Sequence, residues 1–283
     1  MSSARFNAVA IFDAIPDGEL NTARRLKESL EDIAPHVAPR LHVRHIKIET
    51  LASLEEAISS LTVDAESGGL APWIHIDGHG AEQETGFLTS RGEFCDWNYL
   101  KELVIPLNIA TGLNLLVILA TCFGGSFTSA ITTTDRAPVL GLIGPVREIK
   151  AGEIERDFTA FYNAFLSTNS IKNALEALTA RSLEKLYYCT NAEAFFYEVW
   201  HSYKQNLCTP KMIAERAGVM HRKLTDANLT VVPTIEELER TIVSQDCPQF
   251  EGFCETYFMY DIYPANRERF PVTYEKAEAP SAC

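Results

Sequence analysis

Compact apolar runs recur along the first 185 residues, and segments with helical spacing separate them. Phe6 to Phe12, Trp73 to Asp77, Leu115 to Thr121 and Val139 to Ile143 read as buried strands, and Leu41 to Ile48 alternates as another. Between them lie an amphipathic stretch with Leu20, Ala23, Leu26 and Leu30, a helix from Ser53 to Leu61 with Ser53 and Glu56 at capping-box spacing, and a helix from Trp97 to Leu107. Helices are also expected at Glu153 to Leu166 and Ser170 to Leu183. Strands that are apolar throughout and alternate with helices need cover on both faces. That predicts an α/β fold with a mainly parallel sheet.

One segment breaks the alternation: Gly86 to Phe94 has the pattern of a β-hairpin turning at Ser90-Arg91-Gly92. Beyond residue 185 the character changes, so the expected organisation is a domain over 1–185 and a mostly helical extension, packed on it, over 186–283. In that extension Ala192 to Leu207 is rich in aromatics, Met212 to Leu224 is helical, and Thr234-x-x-Glu237 caps a further helix. The tail from Pro264 is poor in pattern.

With 25 basic and 38 acidic residues the net charge is -13, a surface that repels phosphate backbones and argues against broad nucleic-acid binding. The longest apolar run, Leu113 to Cys122, is too short to span a bilayer, and MSSARFNAVAIFD lacks the pattern of a signal peptide. The seven cysteines (95, 122, 189, 208, 247, 254 and 283) are odd in number and contain no CxxC pair. That favours free thiols in a reducing compartment and a cytoplasmic chain associated with no membrane.

His79 ends one buried strand and Cys122 another, and glycines follow both. Ligands of open α/β sheets bind outside the carboxyl ends of the strands, where neighbouring strand ends can bring two such side chains together. A thiol becomes a strong nucleophile as the thiolate, which an imidazole favours. Glycines let a substrate approach closely and leave N–H groups free to face a developing oxyanion.

Trp73-Ile-His-Ile-Asp-Gly-His-Gly80 and Leu115-Leu-Val-Ile-Leu-Ala-Thr-Cys-Phe-Gly-Gly-Ser126 together resemble the signature of caspase-like cysteine peptidases, the group of caspases, metacaspases and bacterial CHAT-domain proteases. Gly86-Phe-Leu and Asp96-Trp-Asn-Tyr-Leu100 resemble the hairpin and following helix of that group, so the resemblance covers roughly residues 5–180. It implies a three-layer α/β/α sandwich and an endopeptidase in which Cys122 is the nucleophile, His79 the general acid and base, and the N–H groups of Gly80 and Cys122 the oxyanion hole. No cofactor is implied. It also places Asp13, Asp77 and Ala120 at the primary specificity pocket, where two carboxylates would favour Arg or Lys at the cleavage position. The acid usual two residues before the cysteine is replaced by Ala120. Compact members resemble bacterial effectors of stress or antiviral defence, which implies a protein substrate and an activating or inhibitory partner.

Two alternatives stand beside this reading. The chain could be a non-catalytic caspase-like binding scaffold. His75, Asp77 and His79 also alternate along one strand face, a possible metal set for a hydrolase, although His201 and His221 add nothing to it. Thr209 to Gly218 resembles the first helix and turn of a helix-turn-helix, but no basic recognition helix follows. The aromatic cluster Phe195, Phe196, Tyr197, Trp200 and Tyr203 reads as core or interface.

Overall fold

The computed structural model describes residues 5–132, 134–181, 185–227 and 231–278. Cys283 and the last residues of the helix expected to reach Leu183 lie outside them. Contacts divide the chain into one unit of Met1–Ile131 with Ala137–Ala192 and another of Thr132–Arg136 with Glu193–Cys283.

In the first unit β1 (Ala8–Asp13), β2 (His42–Lys47), β3 (Pro72–Asp77), β6 (Leu116–Ala120), β7 (Gly141–Pro145) and β8 (Tyr187–Asn191) form a sheet ordered β2-β1-β3-β6-β7-β8. All neighbouring pairs are parallel except β7 with β8. The chain steps outward from β1 to β2 and then crosses back to β3. Right-handed crossovers in opposite directions place their helices on opposite faces. These helices are α1 (Thr22–Val37) and α2 (Leu51–Gly68).

On the α1 face Val9, Ile11, Trp73, Leu116, Ile118, Ala120 and Ile143 pack with α1, α4 (Ala151–Thr168) and α5 (Ile171–Thr179) into one core. The alternate strand positions, Ala10, Phe12, Ile74, Ile76, Val117 and Leu119, are also fully buried and point the other way. There α2 packs on α3 (Trp97–Ala110), burying Leu54, Leu61, Leu100 and Val104. Continuous apolar strands therefore had the cause expected of them, cover on both faces.

Local chemistry sets the element ends. Thr50, not Ser53, caps α2: the Thr50 hydroxyl accepts the Ser53 N–H and the Ser53 hydroxyl accepts the Thr50 N–H. The capping box thus begins three residues earlier than the Ser53/Glu56 reading, because a β-region Thr can present its oxygen to the first turn. The hairpin of β4 (Gly86–Leu88) and β5 (Phe94–Asp96) turns at the expected place, with Gly92 at φ 83° and its N–H donated to the Thr89 carbonyl at 2.8 Å. β8 lies beyond the expected boundary at 185 and is the antiparallel edge of the sheet.

The second unit contains α6 (Ala192–Leu207, nearly all of it), α7 (Pro210–Asp226), α8 (Ile235–Ser244), α9 (Asp246–Tyr257) and the short α10 (Asn266–Arg269) and α11 (Tyr274–Glu278). Thr209 caps α7 and Thr234 with Glu237 forms the capping box of α8. The helix-turn-helix reading is corrected: α7 runs unbroken through Gly218, so no turn separates two helices there. Phe196 and Trp200 are fully buried against Phe250, with Tyr257, Phe258 and Tyr274 in the same cluster, and Trp200 donates its ring N–H to Glu278 at 3.1 Å. These aromatics form a core. Arg136 reaches Asp261 with two hydrogen bonds of 2.7 and 2.6 Å. No helix of the described residues is long and apolar enough to cross a membrane.

Candidate active site

β3 and β6 are adjacent and parallel, with Asp77 opposite Ala120 as the last paired residues. Two steps beyond that row the strands deliver His79 and Cys122. The chains remain tightly apposed there: a Cβ added to Gly80 would lie 2.1 Å from the Cys122 carbonyl oxygen and 3.0 Å from its Cβ. Only glycine permits this approach.

The hairpin holds His79 and Gly80 from the other side. Leu88 donates its N–H to the His79 carbonyl and Ala81 donates to the Gly86 carbonyl, both at 2.9 Å, so Gly80 and Phe87 face each other without bonding. At such a pairing the N–H points away from the partner strand. Among the described residues neither the Gly80 nor the Cys122 N–H has a hydrogen-bond acceptor. Two unspent donors therefore flank the thiol.

The backbone after Cys122 bends sharply. Phe123 adopts a left-handed conformation at φ 59°, uncommon for a bulky side chain, and opens a 3₁₀ turn over Gly124–Ala130. The glycines behind it serve close packing. A Cβ on Gly124 would sit 2.4 Å from the Leu119 carbonyl, and one on Gly144 of β7 would sit 2.6 Å from Gly124 and Gly125. The thiol is half-buried, accepts the Ile149 N–H at 3.4 Å, and lies 3.7 Å from that residue's carbonyl. The segment after β7 thus fixes the sulfur. Phe123 also donates its N–H to the Arg147 carbonyl at 3.4 Å.

The His79 ring engages neither Cys122 nor the other strand residues. Its Nε2 donates to Glu19 Oε2 at 2.7 Å, and both side chains are about half exposed. Thiol and imidazole each keep a separate partner. A cavity of about 790 Å³ opens beside the sulfur, lined by Gly80, Ala81, Cys122, Phe123, Ile149 and Leu186 with Glu82, Arg147, Glu148, Lys150 and Glu153 at its charged rim.

Asp13, Asp77 and Ala120 fall in one register row across β1, β3 and β6, but none of them lines that cavity. Asp13 is buried and committed: it accepts the Ile15 N–H at 3.0 Å and the Asn21 amide at 2.7 Å, with His45 at 3.3 Å and Lys47 at 3.5 Å. Burial works against its charge, yet His45, Asn21, the Ile15 N–H and Lys47 together hold its pKa down to about 2. Asp77 is buried and accepts the Thr22 hydroxyl at 2.6 Å. Burial pushes it up to about 7, against the Thr22 bond and with help from the charges of Asp13 and Glu155.

The metal alternative finds no common focus. The His75 ring is buried against Phe158 and Tyr162, and burial drives its pKa down to about 3. Asp77 turns to Thr22 and His79 to Glu19. Among the described residues no three His, Cys, Asp or Glu side chains are grouped to hold a metal ion.

Three contributors were missed from sequence: Glu19 on the imidazole, the Ile149 amide on the thiol, and the left-handed Phe123. Glu19 stood in plain view, beside the Pro16-Asp17-Gly18 turn at the carboxyl end of a strand neighbouring β3. The other two are backbone features that depend on which strands become neighbours. No protein-family model and no curated protein matches this chain.

Proposed function

We propose that this chain is a caspase-like cysteine endopeptidase, with Cys122 as nucleophile and His79 as general acid and base. One observation carries the reading: Gly80 packs on the Cys122 carbonyl and leaves two backbone N–H groups unpaired beside the sulfur. A substrate carbonyl placed there meets the nucleophile and an oxyanion site together. His79 takes the thiol proton, the sulfur attacks the peptide carbonyl, and the tetrahedral oxyanion receives the Gly80 and Cys122 N–H groups. Collapse expels the amine, protonated by His79, and leaves a thioester that water hydrolyses with His79 again as base. The sheet order, the hairpin after β3 and the burial on both faces suit a caspase-like sandwich.

The charged rim carries both signs, and Asp13 and Asp77 are engaged within the fold. Cleavage after Arg or Lys therefore rests on the sequence resemblance alone, as does a role as a defence effector held inactive until a partner arrives. The separate partners of His79 and Cys122 suit a resting state.

The test is labelling with peptidyl chloromethyl ketones ending in Arg or in Asp, followed by mass spectrometry. Alkylation of Cys122 that is lost in His79→Ala is the expected result. Absence of label at Cys122 with either reagent overturns the reading. The scaffold alternative is favoured if Cys122→Ala keeps the cellular effect of the parent chain.

A further inference from the structure

Beyond the dyad, one side chain touches the imidazole. Glu19 accepts a hydrogen bond from His79 Nε2 at 2.7 Å, and an ionised carboxylate can only accept, so the ring proton resides on Nε2. The bond to Glu19 is made through Nε2, which leaves Nδ1 outside it. A neutral ring bonded in this way exposes an unprotonated Nδ1, the form needed to take a proton from a thiol.

The loop that carries Glu19 is held in place. Asp13 accepts the Ile15 N–H and the Asn21 side-chain amide, and Asn21 in turn caps α1 by accepting the Arg24 N–H at 2.7 Å. From β2, Lys47 donates to the Ile15 carbonyl at 2.5 Å and lies 3.5 Å from Asp17. Glu19 donates its own N–H to the Pro16 carbonyl at 3.4 Å. A half-exposed carboxylate on a loop pinned at both ends loses less freedom on meeting the ring than one on an untethered loop.

We infer that Glu19 is a positioning residue that fixes His79 as the Nε2–H tautomer and orients Nδ1 as the base for Cys122. This rests on the peptidase reading. In the reaction the thiol proton passes to Nδ1 as the S–C bond forms, and the same proton leaves with the amine as the C–N bond breaks. Glu19 keeps its charge throughout and stabilises the imidazolium between those steps, as the third member of a triad does. Asp13 then has a structural purpose, holding the loop that presents Glu19.

The tautomer is read directly by ¹⁵N NMR of histidine-labelled Cys122→Ala protein, which needs no substrate. His79 should show one protonated Nε2 and one pyridine-like Nδ1. Glu19→Ala should mix the two tautomers, whereas Glu19→Gln, whose carbonyl oxygen still accepts the N–H, should keep the Nε2–H form. In the parallel assay on protein with Cys122 intact, Glu19→Ala should slow chloromethyl ketone alkylation of Cys122 by about ten- to a hundredfold, a smaller loss than that of a buried triad carboxylate because this pair is exposed. Glu19→Gln should fall between Glu19→Ala and the parent. An unchanged His79 spectrum and alkylation rate in Glu19→Ala overturns the role of Glu19. Failure of the parent chain to label at Cys122 overturns the peptidase reading instead.

Discussion

At the scale of single residues, the approach of Gly80 to Cys122 is the tightest constraint. A methyl group placed 2.1 Å from a carbonyl oxygen cannot be accommodated, so Gly80→Ala must separate the two strand ends. We expect that variant to fold and to lose about a hundredfold in Cys122 alkylation rate, since displacements near 1 Å at a reacting centre cost that much. Rate and circular dichroism measured on one sample check both halves of the statement. Two of the other thiols are set apart by burial. Burial pushes Cys95 and Cys254 up to about 12, helped by Asp96 and Glu251 respectively, so neither offers thiolate at neutral pH. His79, Gly80 and Cys122 could be picked out from sequence because strand ends and glycines are visible there. Glu19 was passed over, because a surface glutamate after a turn looks like any other until its contact with His79 is seen.

At the scale of elements, the packing of three glycines decides how β6, the 3₁₀ turn and β7 nest. Gly144→Ala would drive a methyl to within 2.6 Å of the Gly124 and Gly125 backbones, where no side chain can swing aside. Overpacking of this kind costs about 1–3 kcal/mol, and a lowered urea midpoint for Gly144→Ala with unchanged slope is the expected readout. The strands buried on both faces were legible, since only a covered parallel sheet explains apolar runs without alternation. β8 was not. Tyr187-Tyr-Cys-Thr-Asn191 lies at a sheet edge with only Tyr187 buried and lacks an apolar run, so tertiary pairing with β7 makes it a strand. In the same way α9 was missed: its aromatic residues follow the geometry of a cluster built with α6, and its hydrophobic spacing along the chain is weak.

At the scale of the whole molecule, Asp13 and Asp77 oppose each other in their effect on stability. Asp13 has its folded pKa lowered from 3.8 to about 2, so its contribution is present above about 4 and is lost as pH falls toward 2. Asp77 has its folded pKa raised from 3.8 to about 7. Between those values the unfolded chain has lost a proton that the folded chain retains, so stability declines as pH rises from about 4 to about 7 and then levels. We expect a stability maximum near pH 4 from this pair. Asp77→Asn should flatten the decline between pH 5 and 8, and denaturant midpoints collected across that range give the slopes. The change of character past residue 185 was visible in the sequence, whereas contacts keep β8 with the sheet up to Ala192 and assign Thr132–Arg136 to the second unit, which no local pattern announces.

The Ile149 amide that grips the Cys122 sulfur comes from the segment after β7, and Cys122 itself meets Gly80 only where β3 and β6 lie side by side. The thiol precedes in the chain, by 27 residues, the amide that grips it. Until β3 and β6 pair, nothing brings Cys122 beside Gly80. On the proposed reading the site is complete only when the sheet has closed.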